Sequence, residues 1–207
     1  MPDRRHLVVD LITDLGVVVA AVLTGLALAT RAEGPAVEGA GTARADLIAA
    51  IERLPVADPW AAGPYDRAQF PHWIDIAAGC DTRCAVLDRQ RTPTGWVSVY
   101  DGYVTPDAGD LEVDHVVPLA EAWISGASTW SLGRRQAFAN DLASGELLAV
   151  SGWSNRSKGA DDPATWRPPD PAWWCRYAQA WASVKLRWSL SADPAEVGAL
   201  RDLATSC

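Results

Sequence analysis

At Asp114-His115 a hard oxygen donor and a titratable ring stand side by side. Histidine changes charge near neutral pH, so its ring can take a proton from water. A carboxylate can hold a hard divalent cation, which prefers oxygen ligands. Together they could activate water beside a metal ion. The chain has 3 histidines; His6 lies in an N-terminal export-like region and His72 has no matching context, so His115 carries this chemistry. An isolated Asp-His pair also has a plainer explanation, a salt-bridge partner beside a hydrogen-bonded histidine. What adds weight is the order that follows: Asn140, then Asn155 with Lys158 three residues on.

The elements around these residues must bring them together. Residues 111–117 (LEVDHVV) alternate and are β-branched, which predicts a strand ended by Pro118. Successive strand side chains point to opposite faces, so Asp114 and His115 can share a site only near a strand end. Helices are predicted at 119–125 and 131–142, a second short strand at 146–150, and a turn or helix starting at 154–158. Asn140 could cap the helix before it, and Asn155 or Ser154 could cap the next. Before the site, 44–54 reads as a short amphipathic helix and 55–79 as irregular, followed by a short helix from Cys80. Trp96–Tyr100 and Tyr103-Val104 suggest a hairpin turning at Asp101-Gly102. After the site, 172–188 is strongly helical, and a last helix reaches about Leu203, with Pro194 at its first position behind Ser191 or Asp193.

The segments DLEVDHVVPLAEAW (110–123), RRQAFANDL (134–142), LLAV (147–150) and SNRSKGADDPATWRPP (154–169) resemble HNH endonucleases. The similarity is to the branch related to the C-terminal domain of GmrSD-type restriction enzymes, and it spans about residues 70–207. It implies an α+β fold with a small ββα-metal (His-Me finger) core wrapped by additional helices. It also implies roles. Asp114 and Asn155 would hold one divalent ion, Mg²⁺ or else Mn²⁺. His115 would be the general base, oriented by Asn140. Lys158 and Arg156 would contact the substrate phosphate. The expected substrate is nucleic acid, DNA ahead of RNA, with no protein partner. The alternative is a catalytically silent exported module that keeps the scaffold for binding.

The segment 80–100 departs from the family pattern, because a later cysteine is missing and Cys84 stands in its place. Four cysteines allow three pairings, and an even number in an exported chain suggests disulfides rather than zinc. The resemblance implies that Cys175 and Cys207 bridge the long helix to the chain end. Cys80 either pairs with Cys84 across a tight loop or both stay free.

Net charge is -8, unusual for a protein that meets nucleic acid. The acidity is uneven: residues 1–113 carry 16 acids against 9 bases, residues 114–207 only 10 against 9. Eleven tryptophans against two phenylalanines suggest that tryptophan fills the core. Residues 15–29 form an uncharged apolar run behind Arg4 and Arg5, ending in Ala27-Leu28-Ala29. The expected organisation is a signal peptide or membrane anchor at 1–32, a linker at 33–43 and the nuclease domain at 44–207. The protein is then secreted, or held at a membrane by an uncleaved N-terminal helix.

Overall fold

The computed structural model describes residues 36–207. The export segment expected at 1–32, and with it the anchor helix, lies outside the described residues. Among the described residues no helix is long and apolar enough to cross a membrane.

In chain order, α1 (Ala36–Glu52) is followed by a small hairpin, β1 (Asp75–Ala77) and β2 (Cys80–Asp81). Then come α2 (Thr82–Gln90), a second hairpin of β3 (Trp96–Val97) and β4 (Val104–Thr105), and strand β5 (Leu111–His115). Helices α3 (Leu119–Ile124) and α4 (Leu132–Ala139) lead to β6 (Leu147–Ser151), which runs straight into α5 (Gly152–Lys158). The chain closes with α6 (Trp174–Trp188) and α7 (Pro194–Leu203). The class is α+β, with three separate two-stranded antiparallel sheets among the described residues.

Local chemistry explains the boundaries. Helix α1 begins at Ala36 and takes in most of the stretch expected as a linker. Its Leu47 and Ile51 are buried, and it packs on α6 and α7. Asp193 caps α7 by accepting from the Glu196 backbone N–H at 2.9 Å, with Pro194 in the first turn. The cap of α5 is neither Asn155 nor Ser154: Ser151 Oγ accepts from the Ser154 N–H at 3.1 Å. The β3–β4 hairpin needs a glycine at 95. There φ is +118°, and a Cβ would lie 2.2 Å from the Thr105 carbonyl oxygen.

The site rests on the pair β5–β6, in register from Leu111 opposite Ser151 to His115 opposite Leu147. Leu111, Val113, Leu147 and Ala149 pack with Val86 and Leu87 of α2 in a small apolar cluster. The opposite face of β5 carries Glu112 and Asp114, and α5 packs over that side. A larger core joins α1, α3, α4, α6 and α7 around Trp181, Phe138, Phe70 and Tyr177. Tryptophan fills part of it, as Trp123, Trp166 and Trp181 do, but Trp60 and Trp153 are exposed. Two disulfides staple the fold. Cys175–Cys207 ties the first turn of α6 to the chain end, and Cys80–Cys84 closes a tight loop at the start of α2.

Candidate active site

Strand β5 ends at His115, and that ending lets two residues from opposite strand faces reach one cleft. Asp114, His115, Asn155, Arg156, Arg67 and Tyr65 are among its lining residues, around a volume of about 350 Å³.

Asp114 is buried, with one donor on each carboxylate oxygen. Tyr100 Oη donates to Oδ2 at 2.7 Å and Lys158 Nζ to Oδ1 at 3.0 Å. Burial pushes the Asp114 carboxyl above the usual range, and the Lys158 ammonium opposes that push. Burial, with Asp114 beside it, holds the Tyr100 phenol well above its ordinary value. Each carboxylate oxygen carries a second lone pair, so two fixed donors do not exhaust the group.

His115 Nε2 lies 2.9 Å from the carbonyl oxygen of Ala139. A carbonyl only accepts, so Nε2 carries the hydrogen and Nδ1 keeps its lone pair. Burial drives the imidazole pKa down to about 3, against the pull of the Ala139 carbonyl, so the ring is neutral at ordinary pH. Trp73 stacks on the ring at 5.5 Å between centroids, and His72 meets it edge-on at 6.3 Å. Trp73 sits at φ +58°, a left-handed backbone that a bulky side chain rarely adopts and that its surroundings must enforce.

Asn140 makes no hydrogen bond to His115. It ends α4 at φ −124°, outside the left-handed region expected of a capping Asn. Its Nδ2 donates to the carbonyls of Pro71 at 2.8 Å and Gln136 at 2.7 Å. Its Oδ1 accepts from Thr82 Oγ1 at 2.8 Å and from the Ile74 N–H at 3.3 Å. The amide therefore stitches α4 to the segment carrying His72 and Trp73, and it stands next in the chain to Ala139, whose carbonyl meets the His115 ring.

Asn155 Nδ2 donates to Glu112 Oε2 at 2.7 Å. A carboxylate can only accept, so this contact fixes which end of the amide is nitrogen and leaves the Asn155 oxygen, an acceptor, on a residue that lines the cleft. Glu112 also pairs with Arg156, whose guanidinium is largely exposed on the cleft wall.

Lys158 differs from expectation. Its side chain is fully buried, and Nζ donates to Asp114 Oδ1 and to the His115 carbonyl at 2.8 Å. A buried ammonium with two protein acceptors is not available to a substrate phosphate, which leaves Arg156 and Arg67 as the cleft's cations. Glu146, at the foot of β6, is fully buried and raised well above its ordinary value by that burial. Its Oε2 accepts from the Val117 N–H at 3.2 Å, while Oε1 has no partner among the described residues.

The cluster Cys80, Cys84 and Asp88 brings three liganding atoms close together, but the two sulfurs are bonded to each other and offer no thiolate. Candidate hard donors therefore concentrate at the end of β5 and on α5.

Residues 88–202 match the family described as GmrSD restriction endonucleases, C-terminal domain. The chain belongs to that family. The matched GmrSD C-terminal region contains β5, β6, α5 and the cleft residues Asp114, His115, Asn155 and Arg156. The Cys80–Cys84 loop and Trp73 lie before it. A relative from Arthroderma benhamiae, described as an uncharacterized secreted protein, is 42% identical over 154 residues, 69% of this chain and 76% of its own length. No solved structure matches the chain.

Several contributors were not singled out in the sequence. Glu112 was open to detection, since it stands two residues before Asp114 on a strand and must share its face. Tyr100 and Trp73 carried no such signal, being 14 and 41 residues before Asp114 in turn or irregular chain.

Proposed function

We propose that the protein is an exported, metal-dependent endonuclease that hydrolyses phosphodiester bonds of DNA, with β5, β6 and α5 as its ββα-metal core. The observation that carries this is the division of labour at the end of β5. A neutral imidazole with a free Nδ1 lines the same cleft as a carboxylate and an oriented amide oxygen.

The donor set suits a hard cation. An anionic carboxylate and an amide oxygen are the ligand types magnesium or manganese takes, and the open cleft leaves room for the waters magnesium retains. Asp114 and Asn155 would hold one such ion, which when bound would neutralise charge on the phosphate and on the leaving oxygen. His115 Nδ1 takes the proton of the attacking water. The imidazolium that forms keeps its Nε2–H on the Ala139 carbonyl, and the anionic phosphodiester beside it offsets the cost of charging a buried ring. Arg156 and Arg67 position the phosphate from the cleft wall. Asn140 holds the Ala139 carbonyl where the ring needs it.

Export is supported by the two disulfides, which persist in oxidising compartments, and by the secreted relative. The test is incubation of the purified protein with supercoiled plasmid and Mg²⁺ or Mn²⁺, beside His115→Ala. The expected result is metal-dependent nicking that the variant slows by about 10²–10⁴-fold. Absence of cleavage, or equal cleavage by the variant, would overturn the enzyme and leave a silent binding module.

A further inference from the structure

Lys158 is the last residue of α5, and its side chain is fully buried. An ammonium in such a place is costly unless it is paired and hydrogen-bonded. Here Nζ has two protein acceptors, Asp114 Oδ1 at 3.0 Å and the His115 carbonyl oxygen at 2.8 Å. Both belong to the residues that the proposed function places at the chemistry. Asp114 is equally enclosed, with Tyr100 as its other donor. Without Lys158 the carboxylate would be a buried anion held by one phenol. With Lys158 the pair is neutral before any ion arrives from solution.

We infer that Lys158 is a standing counter-cation for Asp114, which keeps the cation site folded when no divalent ion is bound and lowers the affinity with which one binds. The inference rests on Asp114 being a metal ligand. Two consequences follow from Coulomb's law. A divalent ion at Asp114 meets a fixed positive charge on the same carboxylate, so binding is weaker than the bare ligand set would give. A chain without the ammonium must instead borrow its positive charge from solution, and its stability becomes dependent on the metal. Lys158 is on this account a positioning residue, acting through Asp114. Its burial also explains why a lysine at this place need not touch the substrate.

The test uses the full chain with Mn²⁺ as the probe. Lys158→Met keeps the length of the side chain and removes the charge. Thermal unfolding is measured in EDTA and in saturating Mn²⁺, and Mn²⁺ binding is titrated by electron paramagnetic resonance. The expected result has two parts. Lys158→Met loses about 6–20 °C in EDTA and regains most of it with Mn²⁺. It also binds Mn²⁺ about tenfold more tightly than the wild type. If Lys158→Met does not fold in EDTA, the double variant Asp114→Asn/Lys158→Met decides. Removing both charges should restore folding without metal, whereas a double variant that also fails to fold assigns Lys158 to packing and overturns the inference. An equal loss with and without Mn²⁺, in a protein whose wild type binds Mn²⁺, also overturns the inference and leaves the proposed function standing. A wild type that binds no Mn²⁺ overturns the metal-dependent function itself, and the counter-cation with it.

Discussion

Asp114 and Glu196 are both buried carboxyls beside a buried lysine, but their surroundings differ. Lys185 Nζ reaches Glu196 at 2.6 Å and Glu121 at 2.8 Å, so one ammonium serves two carboxylates. Burial raises Glu196 to about 7 from 4.5, with Lys185 opposing and Glu121 adding to the rise. Its folded value lies above the unfolded one, so the native state holds this proton more tightly. The stability it contributes is full below about 4.5 and is lost as pH rises toward 7. In that window this group alone lowers unfolding free energy by at most about 1.4 kcal/mol per pH unit. Urea titrations across it should show the difference between wild type and Glu196→Gln changing with that sign, and a constant difference would refute it. At the same scale, Asp114, His115, Asn155 and Arg156, which line one cleft, were singled out in the sequence from their order along a strand end, a second strand and the helix that follows it. Lys158 was legible as a residue but not in its role. Sequence spacing puts a lysine near the site without saying whether its ammonium faces solvent or the protein.

At the scale of elements, the sequence placed the two strands within two residues, and of the helix starts only that of α7 was read from its cap. The helix expected at 131–142 ends earlier, at Ala139, where the Asn140 amide takes one carbonyl of α4, that of Gln136, and three partners outside the helix. The chain between α1 and α2 was the least legible. Its contribution to the site comes from Trp73 and His72, set by a left-handed backbone and by Asn140, and neither leaves a periodic trace. At the other end of the fold, Cys175–Cys207 closes a loop with a sequence separation of 32 between α6 and the terminus. That closure constrains the unfolded chain and should contribute roughly 3–4 kcal/mol. Cys175→Ser/Cys207→Ser should lower the melting temperature by about 6–16 °C under oxidising conditions, since a domain of this size shifts about 2–4 °C per kcal/mol. An unchanged melting temperature would show that the packing of α6 on α7 already fixes the end. Cleavage per folded molecule should be unaltered, because the bridge lies outside the cleft.

For the molecule as a whole, the excess of acid sets how it can meet a polyanion. The cleft offers Arg67 and Arg156, and Arg156 is already paired with Glu112. Each phosphate neutralised releases counterions, contributing about −0.9 to the slope of log affinity against log salt. Two such contacts predict a slope near −2, shallow for a nucleic-acid enzyme, and Arg156→Ala should reduce it by about one. Filter binding of His115→Ala to duplex DNA between low and moderate salt measures both. A slope several units steeper would mean that a further basic surface takes part. The charge totals were readable from composition, but the sparse cationic lining of the cleft was not, since it depends on Lys158 turning inward.

The register of β5 on β6 decides more than the pairing of two strands. Side chains alternate with a period of two, so a slip by one residue would send Asp114 toward Trp73 and the His115 ring toward Tyr100 and Lys158. The carboxylate and the imidazole would exchange faces, and neither would meet its partners. Single-residue deletions or insertions inside 111–115 or 147–151 are therefore closed to this scaffold. The connection between the strands is free of that parity constraint, because length added at the turn near Gly126 or Gly145 leaves the alternation untouched. Variation in chain length among functional descendants of this sequence should gather in those connections and spare ten strand residues.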